Sequence, residues 1–262
     1  MSSGDVCAHR QNEWGIVHDA IQILLRKGPP VDEEKLVTLI RGTERPFMAS
    51  RHSGSTPLHL AVTSGDAVAA GLLIRLGHPI AVVDKHDFSP LHLAAKNNDA
   101  PMMRLLISHG HPVSPRDLGG WMPLHRLTRS GSLEAAELLL QEGHPIDAVG
   151  FYQETPLHVA VRFQNLDLIR WLIVNGHDPD PIDALGRTPL HYAAVDRAPH
   201  IVELLLSLGA DPLIQTFAHQ SARMLLPSSH PLWTRLYNAE LLYPTLFSRL
   251  LKNLRDLDYK TM

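Results

Sequence analysis

The chain has 262 residues, of which 44% are hydrophobic and 19% charged, and its formal net charge is −3 when histidine is neutral. This composition is typical of a globular protein, and the slight acidity argues against a nucleic-acid surface, which is normally strongly basic. The single cysteine, Cys7, excludes an internal disulfide framework, and no run of about 18 apolar residues could span a membrane. We therefore expect a cytoplasmic or nuclear protein that binds neither nucleic acid nor membrane.

The N-terminal region begins with a polar stretch at 1–11, which lacks the apolar core of a secretory signal and is expected to be a flexible tail. Residues 12–49 then contain two helical patterns. The apolar residues of the first recur at helical spacing: Trp14, Val17, Ile21, Leu24 and Leu25. The second pattern opens with the acidic residues Asp32, Glu33 and Glu34, which a helix N-terminus favours. We interpret 12–49 as a degenerate repeat that caps the region that follows.

A six-residue motif recurs five times after this region. It reads Thr-Pro-Leu-His-Leu-Ala at its first occurrence, and its copies start at 56, 89, 122, 155 and 188, so the period is 33 residues. A glycine follows each copy in the same register, at 77, 110, 143, 176 and 209. Two motifs in one fixed phase predict five structural repeats over 50–220.

Each copy of the motif has the chemistry of a helix start. Thr or Ser can cap the free N–H groups of a helix, and the proline that follows stands where its missing N–H costs nothing. A second apolar stretch, such as Leu72-Leu73-Ile74, predicts a partner helix that packs between repeats. The glycine after it suits the left-handed conformation that ends many helices.

The C-terminal region, 221–262, departs from the pattern. Ser221 falls 33 residues after Thr188 but is not followed by Pro-Leu-His, so we interpret it as the start of a degenerate sixth repeat. Beyond it, Pro231 to Leu242 and Pro244 to Leu257 predict two helices. Their apolar residues are Trp233, Leu236, Tyr237, Leu241, Phe247, Leu250 and Leu254.

The period and the Thr-Pro-Leu-His-x-Ala motif resemble the ankyrin-repeat family. The resemblance implies an all-α repeat fold: a solenoid of helix-turn-helix pairs with β-hairpin fingers and with helical N- and C-terminal caps. It also implies that the motif histidines tie each helix start to the neighbouring finger. These histidines are His59, His92, His125, His158 and His191.

Four further histidines follow the helix-ending glycine, where the family usually has alanine. They are His78, His111, His144 and His177. A packing or capping role is the main interpretation, and a pH effect and a metal site remain alternatives. The nearby helix C-terminus favours the charged imidazolium. A shared zinc ion would require nitrogens about 2.0–2.1 Å from the metal, whereas neighbouring helices lie about 8–10 Å apart. We therefore predict no metal site.

The fingers and the first helices form the surface on which this family usually binds partners. Fingers normally carry small polar residues, but here they carry aromatic side chains flanked by basic ones, a combination enriched in protein interfaces. The predicted partner-binding residues are Phe88, Lys96, Trp121, Arg129, Phe151, Tyr152, Glu154, Arg162, Phe163 and Arg187. Packing of the aromatic residues on one another between fingers remains the alternative.

Three functions fit these patterns. The first is a monomeric, non-enzymatic scaffold or adaptor that binds a protein or an extended peptide with apolar anchors. The second is a substrate receptor of a cullin-RING ubiquitin ligase, because Thr245–Leu254 resembles the elongin-binding box of the ankyrin-and-SOCS-box proteins, although Leu250 replaces its usual cysteine. The third is an enzyme, but no phosphate-binding loop, zinc-protease helix or nucleophile elbow occurs. We predict no catalytic residues and no cofactor.

Overall fold

The computed structural model describes Glu34, Val37, Thr38, Arg41 and the ranges 49–50, 52–127 and 133–258, with side chains as far as Pro244. The chain divides into two compact units, Met1–Pro145 and Ile146–Met262. Within the predicted N-terminal repeat at 12–49, the residues Glu34, Val37, Thr38 and Arg41 are helical. The remainder of its two predicted helices, and the predicted tail at 1–11, lie outside the described residues.

The first unit contains three helix pairs with described bounds. They are α1 (Pro57–Thr63) with α2 (Ala67–Arg75), α3 (Pro90–Lys96) with α4 (Ala100–Ser108), and α5 (Pro123–Leu127) with α6 (Leu133–Gln141). Each first helix begins at the proline of the motif, as predicted. Leucines of both helices of each pair are buried and form the core: Leu58, Leu73, Leu91, Leu106, Leu124 and Leu139.

The motif histidine fixes each helix start. In α1, the N–H of Thr56 donates to Nδ1 of His59 at 3.1 Å, while Nε2 of His59 lies 2.9 Å from the carbonyl oxygen of Phe88 in the next repeat. A carbonyl accepts hydrogen bonds, so Nε2 carries the proton and donates it. The histidine therefore satisfies one helix N-terminus and ties it to the following finger, as the family resemblance implies.

The second helices begin and end by recurring devices. The carboxylates of Asp66 and Asp99 accept from main-chain N–H groups in the first turns of α2 and α4, at 2.8 and 2.9 Å. Gly77 and Gly110 follow these helices with φ of 91° and 89°. A Cβ at either glycine would meet nothing within 4 Å, so the backbone conformation, rather than lack of space, favours glycine there.

The fingers are five-residue turns. In the first unit they include Asp84–Phe88 and Asp117–Trp121, and each is closed by a hydrogen bond of 3.0 Å from the N–H of its first residue to the carbonyl of its last. Successive fingers are joined by main-chain bonds such as Leu118 N–H to His86 O, at 3.2 Å. No named strand occurs among the described residues, so the predicted β-hairpins are tight turns that are too short for a ladder.

The second unit continues the same pattern with α7 (Pro156–Arg162), α8 (Leu166–Val174), α9 (Pro189–Val195) and α10 (Pro199–Ser207). Its fingers are Gly150–Glu154, Asp183–Arg187 and Thr216–Gln220, each closed by the same type of main-chain hydrogen bond. The third finger belongs to the degenerate sixth repeat. That repeat keeps its turn although its helix-start motif is lost.

The end of the second unit differs from the prediction. Ala222–Leu225 forms a 3₁₀ helix, and one helix, α11 (Pro231–Asp258), replaces the two helices predicted on either side of Pro244. Proline removes one main-chain hydrogen bond at this point. The flanking turns contain strong helix formers, among them Ala239, Glu240 and Leu241 before the proline and Leu250 and Leu251 after it, and these maintain the helix.

Candidate functional site

Phe88 and Trp121 both occupy the last position of a finger in the first unit, and both are half-buried. The guanidinium of Arg126, in α5, lies 4.5 Å from the centre of each ring, so it is held between them. The Arg126 Nε donates to Asp117 Oδ2 at 2.9 Å, and the Asp117 side chain is buried. The ring of Trp121 also stacks on that of His125. The guanidinium of Arg126 therefore makes cation–π contacts that cover part of each aromatic ring.

These contacts bear on the predicted binding residues of the first unit. Arg126, which is not among the predicted residues, contacts Phe88 and Trp121, and the predicted Arg129 lies outside the described residues. Lys96 is exposed at the end of α3. An arginine thus covers part of each ring, which differs from the alternative that the aromatic residues pack on one another. Partner binding by Phe88, Lys96 and Trp121 stays a prediction.

The fingers of the second unit present apolar side chains at their tips, which are the second and third residues of each turn. Phe151 and Tyr152 are 65% and 71% exposed, Leu185 is 58% exposed and Phe217 is 68% exposed. Ala184 N–H donates to Tyr152 O at 2.9 Å and Phe217 N–H donates to Leu185 O at 3.1 Å, so the tips are neighbours. We name Phe151, Tyr152, Leu185 and Phe217 the apolar tip row.

The sequence prediction identified half of this row. Leu185 and Phe217 were absent from the predicted binding set, although the register of 33 residues places Phe217 level with Phe151 and with Ala184. The loss of Pro-Leu-His after Ser221 hid the third finger. The predicted Phe163 is also exposed, immediately after α7, where it ends a first helix.

A network of charged and aromatic residues lies beside the apolar tip row. We name Glu154, Arg162, Asp183, Arg187 and Tyr192 the Tyr192 cluster. Arg187 Nε donates to Asp183 Oδ2 at 2.7 Å, and the Tyr192 hydroxyl donates to the same oxygen at 2.9 Å. Arg162 Nη2 donates to Glu154 Oε1 at 2.6 Å. Both guanidinium groups also lie over the ring of Tyr192, at 5.2 and 4.7 Å from its centre.

The ionisation of this cluster follows from its hydrogen bonds. Burial raises the pKa of Tyr192 to about 12, and its bond to Asp183 acts in the same direction. Burial alone would raise the pKa of Asp183, but hydrogen bonds from Arg187, from main-chain N–H groups and from Tyr192 together lower it. At neutral pH Asp183 is therefore a carboxylate and Tyr192 is a neutral phenol.

The hydroxyl of Tyr192 should contribute measurably to stability. Tyr192→Phe is expected to lower the free energy of unfolding by about 1–2 kcal/mol, because Asp183 loses a donor and Arg187 loses an acceptor in a half-buried site. Urea unfolding followed by circular dichroism measures this loss. Tyr152→Phe is the control: its ring is exposed, so the change should stay within about 0.5 kcal/mol. Equal effects of the two variants would show that the Tyr192 bonds contribute nothing.

The four histidines that follow the helix-ending glycines are buried. Nδ1 of His78 lies 2.6 Å from the carbonyl oxygen of Pro79, and His111, His144 and His177 make the same bond to the residue that follows them. Nδ1 therefore carries the proton, and Nε2 is free to accept. In His78 it accepts from the N–H of Leu58, in the first turn of α1, at 3.4 Å. The geometry of His78 agrees with the capping role, whereas Nε2 of His111, His144 and His177 is buried without a hydrogen-bond partner among the described residues.

Our expectation that the helix C-terminus favours the charged form of these four histidines is wrong. Burial lowers the pKa of His78, His111 and His144 to about 4, and it lowers the pKa of His177 as well. Loss of hydration outweighs both the helix dipole and the bond to the carbonyl. The imidazoles are neutral at physiological pH.

Two other kinds of site are absent from the parts of the chain that the structure describes. No group of three or more histidine, cysteine, aspartate or glutamate side chains there could hold a metal ion. None of the described helices is both long enough and apolar enough to cross a membrane. The exposed apolar side chains of the fingers make the finger surface the candidate functional site.

A family model described as ankyrin repeats (3 copies) matches residues 58–149 and again residues 146–216, which together exceed half of the chain. The chain belongs to the ankyrin-repeat family. Ankyrin repeats are protein–protein interaction domains, and this agrees with exposed apolar side chains on the fingers. No curated protein sequence matches the chain.

Two ankyrin repeat domains are among the solved structures that resemble the chain. The human ASB11 ankyrin repeat domain is 25% identical with a TM-score of 0.72, and the match covers 86% of this chain and 97% of that domain. The ankyrin repeat domain of Bcl-3, a member of the IkappaB protein family, is 25% identical with a TM-score of 0.67, and the match covers 80% of this chain and 94% of that domain. The likeness to ASB11 agrees with a relation to the ankyrin-and-SOCS-box proteins.

Proposed function

We propose that this protein is a non-enzymatic adaptor, a monomer in the cytoplasm or the nucleus, that binds another protein through its ankyrin fingers. The observation that carries the proposal is the apolar tip row. Isolated exposed apolar side chains are ordinary on protein surfaces, but contiguous ones mark interaction sites. Four large side chains on three neighbouring fingers form such a patch.

The chemistry of the row suits an interface. Phenylalanine and tyrosine offer large apolar area with few rotatable bonds, so their immobilisation on binding costs little entropy. The turns that present them are held by main-chain hydrogen bonds from finger to finger, which positions the rings before a partner arrives. Phe163, at the end of α7, and Arg162 extend the same surface along the first helix.

In the first unit, the proposed contact residues are Phe88, Lys96, Trp121 and Arg129. Arg126 and Asp117 hold the rings of Phe88 and Trp121 in place, so these rings would act as rigid supports at the finger ends. The rings remain half-exposed and can still contact a partner. The stronger apolar anchors are expected in the second unit, where the finger tips carry no such cover.

The test is affinity capture from cell extract with the full chain as bait. The double variant Phe151→Ser/Tyr152→Ser is expected to lose the captured partner, because it removes both exposed rings of one finger tip. Val174→Ser is the matched control, since Val174 is 73% exposed but lies on the second helix α8. A partner that remains on the double variant, or is lost from the control, would contradict this surface.

A substrate receptor of a cullin-RING ubiquitin ligase is the second candidate. The likeness to the human ASB11 ankyrin repeat domain favours it. The segment Thr245–Leu254, which resembles the elongin-binding box, lies within α11, but its side chains lie outside the described residues. Recovery of elongin in the same capture experiment would support this candidate, and its absence would leave the plain adaptor.

A further inference from the structure

The Tyr192 cluster is layered, with its acids below and its arginines above. The side chains of Glu154 and Asp183 are only 10% and 2% exposed, whereas those of Arg162 and Arg187 are 39% and 37% exposed. The cluster has two acidic and two basic side chains, so it has as many of one kind as of the other. The positive ends nevertheless face solvent, so a molecule that approaches this surface meets guanidinium groups before it meets carboxylates.

The two arginines keep unused hydrogen-bond donors. Among the described residues, the bonds of Arg162 involve Nη2 alone, and those of Arg187 involve Nε and Nη2. An arginine has five N–H donors in a planar fork. Nη1 of both residues, and Nε of Arg162, therefore remain available to an acceptor from outside. The ring of Tyr192 lies beneath both guanidinium groups and fixes their planes.

These donors adjoin the apolar tip row. Tyr152 is two residues from Glu154, the partner of Arg162, and Leu185 is two residues from Arg187 in the same five-residue turn. Neighbouring helices of a repeat stack lie about 8–10 Å apart, and an extended chain rises about 3.3 Å per residue. A strand along the fingers would therefore meet a new finger at about every third residue.

We propose that the second unit binds an extended segment of a partner protein that combines apolar side chains at about every third position with an aspartate or glutamate. The apolar side chains lie on the apolar tip row, and the carboxylate accepts from Arg162 and Arg187. The unused N–H groups of the two arginines donate charge-assisted hydrogen bonds to the carboxylate, which gives the site its selectivity for an acid. This inference rests on the proposed function and adds the chemistry of the partner.

The overall charge of the chain makes this selectivity local. The protein carries a formal net charge of −3, so it does not attract acidic segments by long-range electrostatics. Recognition of a carboxylate has to come from particular donors at short range. Substitution of these donors is therefore expected to remove the preference for acids, whereas substitution of a distant arginine is not.

A display library of random 12-residue peptides, selected on the full chain, tests the proposal. The selected peptides are expected to be enriched in aspartate or glutamate next to apolar residues spaced by about three positions. Their affinity should fall about tenfold or more for Arg162→Gln, because a charge-assisted bond is lost. Arg170→Gln, an exposed arginine of the second helix α8, is the matched control and should bind as the wild type does.

A second variant separates recognition from folding. Arg162→Gln leaves the buried Glu154 without its arginine, so Glu154→Gln/Arg162→Gln removes both charges and should show the same loss with an unchanged unfolding midpoint. The selection could instead enrich apolar peptides without acids, which bind both arginine variants as tightly as the wild type but do not bind Tyr152→Ser. That result would overturn the acidic partner but retain the proposed function. Peptides that bind Tyr152→Ser as well as the wild type, or a selection that yields none, would overturn both.

Discussion

Acidification from about pH 7.5 to about pH 5 is expected to destabilise the protein strongly. Burial lowers the pKa of eight histidines below the ordinary value of 6.5: His59, His78, His92, His111, His144, His158, His177 and His191. The unfolded chain therefore binds more protons than the folded one between the lowered and the ordinary pKa. The stability that these neutral histidines contribute is fully present above pH 6.5 and is lost as the pH falls from there towards about 4.

The size of this effect follows from linkage. A histidine whose pKa is about 4 in the folded protein lowers the free energy of unfolding by on the order of 2 kcal/mol when the pH falls to about 5. Burial raises the pKa of Asp180 to about 7, and this carboxyl acts in the opposite direction, but it is one group against the four histidines whose pKa is lowered to about 4. Since domains are stable by only about 5–15 kcal/mol, unfolding at about pH 5 is the expected result.

Urea unfolding followed by circular dichroism at the two pH values measures the change. His111→Ala/His144→Ala provides the control, because Ala210 already occupies the equivalent position of the fifth repeat and is buried there. The double variant is expected to lose less stability on acidification than the wild type. If the unfolding midpoint of the wild type is the same at the two pH values, burial does not keep these histidines neutral in the folded protein.

Leu205→Ala is expected to cost about 2–5 kcal/mol, the usual range for a buried leucine. Leu205 lies in α10 and is fully buried, and Leu138 in α6, at 2% exposure, should behave similarly. Because repeats contact only their neighbours, the loss should first appear near the substituted repeat. Hydrogen exchange would locate it, and Val174→Ala, at an exposed site, is the control. A midpoint that does not move would contradict the packing of the second helices.

The helices were predictable because each motif residue acts locally. The prolines at 57, 90, 123, 156 and 189 begin the first helices in the structure, as the period of 33 indicated. In four of the five copies the motif histidine bonds to a main-chain carbonyl 29 residues later, and the constant period of 33 repeats that distance. Local chemistry repeated at a fixed interval is sufficient to define this fold.

The side-chain networks were not predictable in the same way. Arg126 and Tyr192 stand at the variable position of the motif, where the other copies have Leu60, Leu93 and Val159. A polar residue there was a signal, and Asp117 and Asp183 each precede it by nine residues. Only the structure shows that the finger aspartate reaches the first helix and holds an arginine on an aromatic ring.

The most direct test of the account is the affinity of the captured partner, measured by titration calorimetry on the wild type, Tyr152→Ser and Val174→Ser. Tyr152→Ser is expected to weaken binding by about 2 kcal/mol, as the loss of an interface anchor does, while its unfolding midpoint stays that of the wild type. Val174→Ser should bind with unchanged affinity. If Tyr152→Ser binds as tightly as the wild type, or if Val174→Ser loses as much, the partner does not bind the apolar tip row.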